Sequence, residues 1–225
     1  MAEPAPCRLC NARAEDFAVV DNQRYFKCPS CALVFLSADQ LPGPEVEKDH
    51  YDTHENHVRD PGYRAFLSRL AAPLIPRLEP GANGLDFGCG PGPALAAMLE
   101  EAGFPMAVYD PFYADDLEVL RRQYDFITMT EVAEHLHHPG EVFAQLDEML
   151  KPGGWLAVMT QVLDDDTEFS TWYYRRDPTH VAFFSRTTFD VLAQRFGYEI
   201  DWPHKSVVML RKVVRQDGKS IPRSI

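Results

Sequence analysis

The sequence contains no uninterrupted apolar run near the roughly 18 residues that a membrane-spanning helix needs. Its start, Met1-Ala2-Glu3-Pro4, lacks the basic and apolar segments of a secretory signal. No membrane partner is expected, and a cytoplasmic setting is. Positive charge is scarce: 22 Lys and Arg stand against 34 Asp and Glu, a formal net charge of −12. Binding a phosphate backbone relies on clustered Lys and Arg that displace counterions. Long nucleic acid is therefore disfavoured as a partner, although an acidic surface also serves solubility and selects no particular small molecule. What is present, 45% hydrophobic and 12% aromatic residues over 225 positions, is enough for one full α/β core and a small appendage.

Four of the five cysteines fall as Cys7-Arg8-Leu9-Cys10 and Cys28-Pro29-Ser30-Cys31, two C-x-x-C knuckles with seventeen residues between them. Each knuckle can aim two thiolates at one tetrahedral metal, and a stretch of about 30 residues needs such a staple to hold itself together. Disulfides are the competing reading, and a reducing compartment weighs against them. We expect a structural zinc held by Cys7, Cys10, Cys28 and Cys31, with no open coordination position and so no catalytic role. Tyr25-Phe26-Lys27 and Leu33-Val34-Phe35-Leu36 read as short strands of this ribbon.

Pro42-Gly43-Pro44 marks a connector between residues 37 and 47. Beyond the polar stretch 50–57, Tyr63, Phe66, Leu67, Leu70, Leu74 and Ile75 recur at helical spacing. Leu85-Asp86-Phe87-Gly88-Cys89-Gly90-Pro91-Gly92-Pro93 then has the form of a buried strand, a glycine-rich turn and the start of a helix over 94–103. Glycines there let backbone approach a ligand, and the helix start offers free N–H groups. A dinucleotide fingerprint would place its third glycine at Pro93. Met106-Ala107-Val108-Tyr109-Asp110 follows as a strand ending in an acid, Tyr124–Glu131 as a further strand, and Leu150-Lys151-Pro152-Gly153-Gly154 as a turn into another. Segments 186–197, 198–202 and 206–211 supply a final helix and a closing antiparallel pair.

In this order the motifs resemble those of class I S-adenosylmethionine-dependent methyltransferases, over about residues 80 to 160 and more weakly to Val214. The resemblance implies an α/β, Rossmann-like sheet with S-adenosylmethionine held by Asp86, Gly88, Cys89, Gly90, Gly92, Asp110, Thr130 and Glu131. Asp110 would accept the ribose hydroxyls, and Pro111 and Phe112 would face the adenine, with Asp115 or Asp116 as substitutes. Only fourteen residues separate Asp110 from Asp125, too few for the usual helix, strand and helix, so the third-strand edge should be truncated. Cys89 reads as a small filler. An element ahead of the glycine turn covers the cofactor in many such enzymes, which makes Tyr51 and His54 candidate lid residues; a solvated turn is the alternative.

Glu131-Val132-Ala133-Glu134-His135, directly after a strand, carries the chemistry. Methyl transfer needs an aligned nucleophile and, for a hydroxyl, a base or a metal that removes its proton. If the chain turns helical there, Glu131 and Glu134 share a face. The E-x-x-E-H pattern resembles methyltransferases acting on catechol oxygens and on the terminal ribose of small RNAs. In the latter those residues and a later histidine bind a divalent metal, and Asp177–Phe189 resembles the segment that supplies it, here through His180. Glu131, Glu134, His135 and His180 are thus the candidate catalytic residues and a candidate site for Mg²⁺ or another divalent ion; His135 as a lone base is the other option. His137 and His138 read as a solvated turn. Trp172, Tyr173, Tyr174, Arg175 and Arg176 could stack on an acceptor, hold an anion, or pack an inserted element, and Trp172 and Tyr173 are the candidate substrate residues among them.

The expected division is a zinc ribbon over 1–36, a linker and lid over 37–79, and a methyltransferase domain over 80–225. The expected activity is O-methylation of a small-molecule acceptor. Methylation of RNA is the alternative, resting on the resemblance of the layout to zinc-ribbon ribosomal RNA enzymes, with Arg8, Arg13, Arg24 and Lys27 as the ribbon's only basic residues. A non-catalytic binding scaffold is the third reading.

Overall fold

The computed structural model describes residues 5–53 and 57–214. In chain order its elements are β1 (Glu15–Val20), β2 (Gln23–Lys27), β3 (Val34–Leu36), α1 (Pro44–Tyr51), α2 (Pro61–Leu74), β4 (Gly84–Phe87), α3 (Ala94–Glu101), β5 (Met106–Tyr109), β6 (Tyr124–Thr130), α4 (Pro139–Met149), β7 (Leu150–Met159), β8 (Ala182–Phe183), α5 (Arg186–Phe196), β9 (Tyr198–His204) and β10 (Val207–Lys212).

The larger sheet has the order β5-β4-β6-β7-β10-β9. β5, β4, β6 and β7 run parallel, and β10 and β9 close the far edge antiparallel. Every residue of β4 is buried, as expected for a parallel strand covered on both faces. One face packs Leu67, Leu70 and Leu74 of α2 with Leu95 and Leu99 of α3 against Phe126 and Met159. On the other face Phe143 and Leu146 of α4 and Phe189 and Leu192 of α5 meet Ile127 and Met129. β5 is the outer strand. Beyond it the chain returns to β6 through an Asp110–Ala114 bridge and a single 3₁₀ turn at Val119–Arg121, which is the truncation that the short spacing predicts. Helix α5 is bounded as its sequence dictates: Ser185 and Thr188 form a reciprocal capping box, and Gly197 ends the helix at φ 73°.

The smaller sheet has the order β1-β2-β3-β8. Sequence pattern found β2 and β3 but missed β1, whose exposed Asp16 and Phe17 carry little apolar alternation, and β8, which lies about 145 residues downstream of its partner β3. Cys7, Leu9, Cys28 and Cys31 pack in the same core as Ile127, Met129, Phe143 and Leu146, so the cysteine ribbon is continuous with the main core. The ribbon docks on the start of α4: the Gly140 amide donates to Arg8 O at 3.0 Å. A Cβ on Gly140 would fall 2.6 Å from Leu9 O and 2.9 Å from Arg8 O, so backbone meets backbone only because this residue has no side chain. Arg195 of α5 donates to Leu9 O at 2.8 Å from the other side.

The connector is more regular than its Pro and Gly content suggests. Pro44 opens α1 at a position where its missing N–H costs nothing, and the helix runs to Tyr51. None of the helices among the described residues is long and apolar enough to cross a membrane.

Candidate functional site

The two cysteine knuckles are built alike. Cys7 O accepts from Asn11 N and Cys28 O from Ala32 N, while Cys7 N donates to Ala12 O and Cys28 N to Leu33 O. Asn11 and Ala32 each turn left-handed, at φ 61° and 59°. The result brings the sulfurs of Cys7, Cys10, Cys28 and Cys31 within 4.8 Å of one another, with Cys7–Cys31 and Cys10–Cys28 each at 3.5 Å. These separations are far from the roughly 2.05 Å of a disulfide. They bracket the edge of about 3.8 Å that a tetrahedron of sulfurs has at a Zn–S length near 2.3 Å.

The glycine-rich turn lies between β4 and α3, at the carboxyl end of the parallel strands. Gly88 and Gly90 adopt φ 74° and 64°. A Cβ on Gly88 would strike Val132 at 2.4 Å, whereas one on Gly90 would enter open space. Gly88 is therefore a packing requirement, and Gly90 marks room against bare backbone. Asp110 accepts from the amides of Gly90 (3.0 Å), Phe112 (2.9 Å) and Tyr113 (3.2 Å), which fixes its carboxylate at the mouth of that space. Asp86 is buried beneath it and accepts from Thr128 Oγ1 at 2.8 Å. Burial pushes its carboxyl up to about 6, opposed by the bonds from Thr128 and from the Ala96 amide in the first turn of α3. Cys89 is buried, and burial raises its thiol to about 12, in keeping with a filler rather than a nucleophile.

The stretch after β6 does not turn into an α-helix. Glu131 sits at φ 51°, and Ala133–His135 form one 3₁₀ turn. A left-handed non-glycine residue carries backbone strain of order 1 kcal/mol, here held by the Glu131 amide on Met159 O at 2.8 Å. The two carboxyls still meet, but through Tyr174. The Tyr174 hydroxyl donates to Glu134 Oε1 and lies 3.2 Å from Glu131 Oε2 and 3.3 Å from Thr160 Oγ1. Thr160 Oγ1 donates to Glu134 Oε2 at 2.8 Å. Glu134 is fully buried. Burial, then the neighbouring Glu134, pushes Glu131 up to about 9, and burial raises Glu134 as well. Glu131 Oε1 and Thr130 Oγ1 are buried without a hydrogen-bond partner among the described residues.

Glu134, His135 and His180 place one ligand atom each within 4.8 Å of one another. Glu131 adjoins this group rather than completing it. His135 Nδ1 lies 3.1 Å from Thr179 O, and His180 Nδ1 lies 2.6 Å from Tyr174 O. A carbonyl only accepts, so each Nδ1 carries a proton, and the neutral form of either ring has its lone pair on Nε2. Desolvation lowers His180, which favours that neutral form.

α1 lies across this region. Tyr51 makes ring contacts with Phe112 at 5.8 Å and with His135 at 5.2 Å, linking the turn after β5 to the Glu–His cluster. His50 Nε2 is 3.0 Å from Asp177 Oδ2, Tyr113 donates to Asp52 at 2.6 Å, and His137 Nε2 is 2.9 Å from Glu47 Oε1. His137 is thus half-buried against α1 rather than part of a solvated turn. His54 lies outside the described residues. Pro111, Asp115 and Asp116 are exposed.

The aromatic and basic cluster divides. Trp172 packs against Tyr174 and Phe183, Tyr173 is 63% exposed, and Arg175 is buried against Asp21, which leaves it unavailable to an anionic acceptor. Tyr174 is the functional candidate that sequence reasoning passed over in favour of Trp172 and Tyr173. Nothing local signals that its hydroxyl reaches two carboxyls 40 and 43 positions upstream.

A family model described as "Methyltransferase domain" matches residues 56–201. Comparison with curated proteins finds no match. Among solved structures, 1,6-didemethyltoxoflavin-N1-methyltransferase from Burkholderia thailandensis is 15% identical over 89% of this chain and all of that one, with a TM-score of 0.51. A SAM-dependent methyltransferase from Archaeoglobus fulgidus is 16% identical over 66% of this chain and 94% of that one, with the same TM-score. An O-methyltransferase family protein from Burkholderia thailandensis is 13% identical over 69% of this chain at a TM-score of 0.49, and the chain spans 59% of its length. The solved structures speak to the fold alone, while the family model covers well over half the sequence; the chain belongs to the class I S-adenosylmethionine-dependent methyltransferases.

Proposed function

We propose that the chain methylates a hydroxyl of a small-molecule acceptor bound beside Glu131, Glu134, His135 and His180, and that these residues hold a divalent cation. One observation carries the reading: two imidazoles whose Nδ1 protons are tied to backbone carbonyls present Nε2 lone pairs beside a buried carboxylate, at the edge where the glycine turn opens. Metal-binding histidines are oriented in this way. The carboxyls fit the same reading. Two buried acids, with Glu131 Oε1 lacking a partner among the described residues, are costly as a pair of anions, and a divalent charge relieves that cost.

S-adenosylmethionine, when bound, supplies a methyl group on an electron-poor sulfonium. Gly88, Gly90 and Gly92 give it backbone to lie against, and Asp110 offers its remaining acceptor capacity to sugar hydroxyls. Asp86 and Thr130 line the same crevice, and Phe112 with Tyr51 forms its aromatic wall. The Nε2 lone pair of half-buried His135 serves one role at a time: with the cation bound it is a ligand and the acceptor proton leaves to solvent, and without a cation it is the base that takes that proton. Glu134 is held by Thr160 and Tyr174 so that it can bind a cation without rotating. A divalent ion here would lower the acceptor hydroxyl's pKa and fix its orientation.

In this reading residues 1–36 form a ribbon closed by a structural zinc on Cys7, Cys10, Cys28 and Cys31. Residues 37–79 are the linker and the lid, where Tyr51 acts and His54 belongs, and 80–225 the catalytic domain. A reducing cytoplasm suits thiolates kept for a metal. Tyr173, exposed at the mouth, is available to an acceptor ring, whereas Trp172 supports the wall from behind. The net charge of −12 favours a small acceptor over RNA.

Titration calorimetry with S-adenosylhomocysteine and electron paramagnetic resonance with Mn²⁺ test the proposal together. Gly90→Arg and Asp110→Ala should abolish nucleoside binding. Glu134→Gln and His180→Asn should remove one Mn²⁺ per chain and leave nucleoside binding intact. Unchanged nucleoside affinity in the first pair refutes the cofactor site, and the absence of any Mn²⁺ bound by the unmodified protein refutes the cation.

A further inference from the structure

Arg175 is only 3% exposed, and burying a guanidinium is costly unless it is paired. Its partners lie mainly in the ribbon. Nη2 donates to Asp21 Oδ2 at 2.7 Å and to Ser170 O at 3.3 Å, and Nη1 to Gln23 Oε1 at 3.4 Å, while Nε has no partner among the described residues. Asp21 and Asn22 are the two loop residues between β1 and β2, both left-handed at φ 51° and 64°. A two-residue hairpin of this kind has a fixed geometry, so the carboxylate that Arg175 grips sits on a stiff mount. Gln23 Oε1 is fixed in turn by the Tyr25 hydroxyl at 2.8 Å.

The residue directly before Arg175 belongs to the Glu–His cluster. Tyr174 places its hydroxyl between Glu131 and Glu134, and its carbonyl accepts from His180 Nδ1. Val181 then joins the two regions through the backbone of one residue: its N–H donates to Glu134 O at 2.8 Å, and its C=O accepts from Leu36 N at 3.0 Å. Ala182 and Phe183 continue as β8 beside Val34 and Phe35. The segment 174–183 therefore has one side on the ribbon and the other on the carboxyl pair. An ion pair with its guanidinium buried and its carboxylate exposed is a poor way to gain stability compared with apolar packing, and the best-attested use of buried charge is to fix register.

We propose that Arg175 is a positioning residue, whose clamp on Asp21 makes the ribbon the scaffold that holds Tyr174 and His180 against Glu131 and Glu134. The proposal rests on the reading of that cluster as the reaction site. It assigns the ribbon a part in building the acceptor side and no part in holding the cofactor.

The test is imidazole NMR on the full-length protein, with histidine labelled with ¹⁵N. His180 should give a downfield Nδ1–H resonance that exchanges slowly with solvent, identified by its loss in His180→Gln. Asp21 is 76% exposed, so Asp21→Ala disturbs little packing of its own. It should shift that resonance and speed its solvent exchange about tenfold or more, as local opening of the clamped segment predicts. Asp21→Glu should restore most of the protection, and S-adenosylhomocysteine affinity should change less than about twofold in both variants. Arg175→Met should reproduce the Asp21→Ala effect, and if that variant does not fold, Asp21→Ala decides alone. An unmoved His180 resonance in Asp21→Ala overturns the proposal, as does a loss of nucleoside affinity that parallels the exchange. If the protein binds no Mn²⁺, the cation reading fails while this readout still stands.

Discussion

Asp86 offers a quantitative check on the cofactor crevice. Its carboxyl is buried within β4 and raised to about 6, above the ordinary 3.8, mainly because burial disfavours the anion. A raised folded-state pKa means that the folded protein binds more protons than the unfolded chain between about pH 4 and 6. The sign is therefore a penalty: absent in acid, it grows as pH rises through this window and is complete above about 6. A shift of about 2 units at 1.36 kcal/mol each amounts to roughly 3 kcal/mol at neutral pH. Asp86→Asn removes the titration and keeps an oxygen to accept from Thr128 and the Ala96 amide. It also adds an amide donor, whose cost if unpaired is about 1–3 kcal/mol. That cost does not depend on pH, so the difference between two pH values isolates the carboxyl. Urea unfolding of both proteins at pH 4.5 and 7.5 should show Asp86→Asn gaining about 2 kcal/mol relative to the unmodified chain on going from the lower to the higher pH. For a chain of this size that corresponds to roughly 4–8 °C in Tm. A relative stability that is flat in pH, or that falls, refutes the assignment of a costly buried charge. If the charge is kept for the cofactor, S-adenosylhomocysteine should bind Asp86→Asn more weakly despite its greater stability at neutral pH.

Two further outcomes follow from the docking of the ribbon. Gly140→Ala places a methyl group 2.6 Å from Leu9 O, against backbone that cannot rotate away; we expect a loss of about 2–3 kcal/mol in urea unfolding, with faster release of zinc to a chelating dye. Elemental analysis of protein purified without added metal should find about one zinc per chain, and stripping it should lower the melting temperature of the whole molecule in one transition, because the cysteines share a core with β6 and α4. Two separate transitions, with the sheet unaffected, would show the ribbon to be an independent unit.

The legible parts of the molecule were those written in local sequence. Leu85–Gly92 declares a buried strand and a bare turn because few other uses exist for three glycines directly after apolar residues. The spacing from Asp110 to Asp125 announced the shortened sheet edge by simple arithmetic. Both knuckles were readable because C-x-x-C constrains two side chains within one turn. The pairing of β3 with β8, by contrast, has no local sign: Ala182-Phe183 is two residues of apolar sequence whose partner lies about 145 positions away. The tertiary contact decides the strand, and propensity does not. Glu131 shows a subtler failure. Its spacing from Glu134 fits one face of a helix, but a left-handed residue and a 3₁₀ turn put the carboxyls together by another route, so a correct juxtaposition came from an incorrect local geometry.

That route explains why Tyr174 could not be found by spacing. Had Glu131 and Glu134 shared a helical face, the two would have needed no third group between them. Because the backbone reverses at Glu131, the carboxyls approach from different directions and leave a gap that a hydroxyl from the inserted segment fills. The insertion can reach only if something outside the main sheet supports it, and the support on hand is the β1–β2 turn through Asp21, together with β3 through Leu36. The strained conformation at Glu131, the buried guanidinium at Arg175 and the borrowed strand β8 are in this sense one arrangement: each is unfavourable or unexplained alone, and together they place two imidazoles, two carboxyls and a phenol beside the open turn at Gly90.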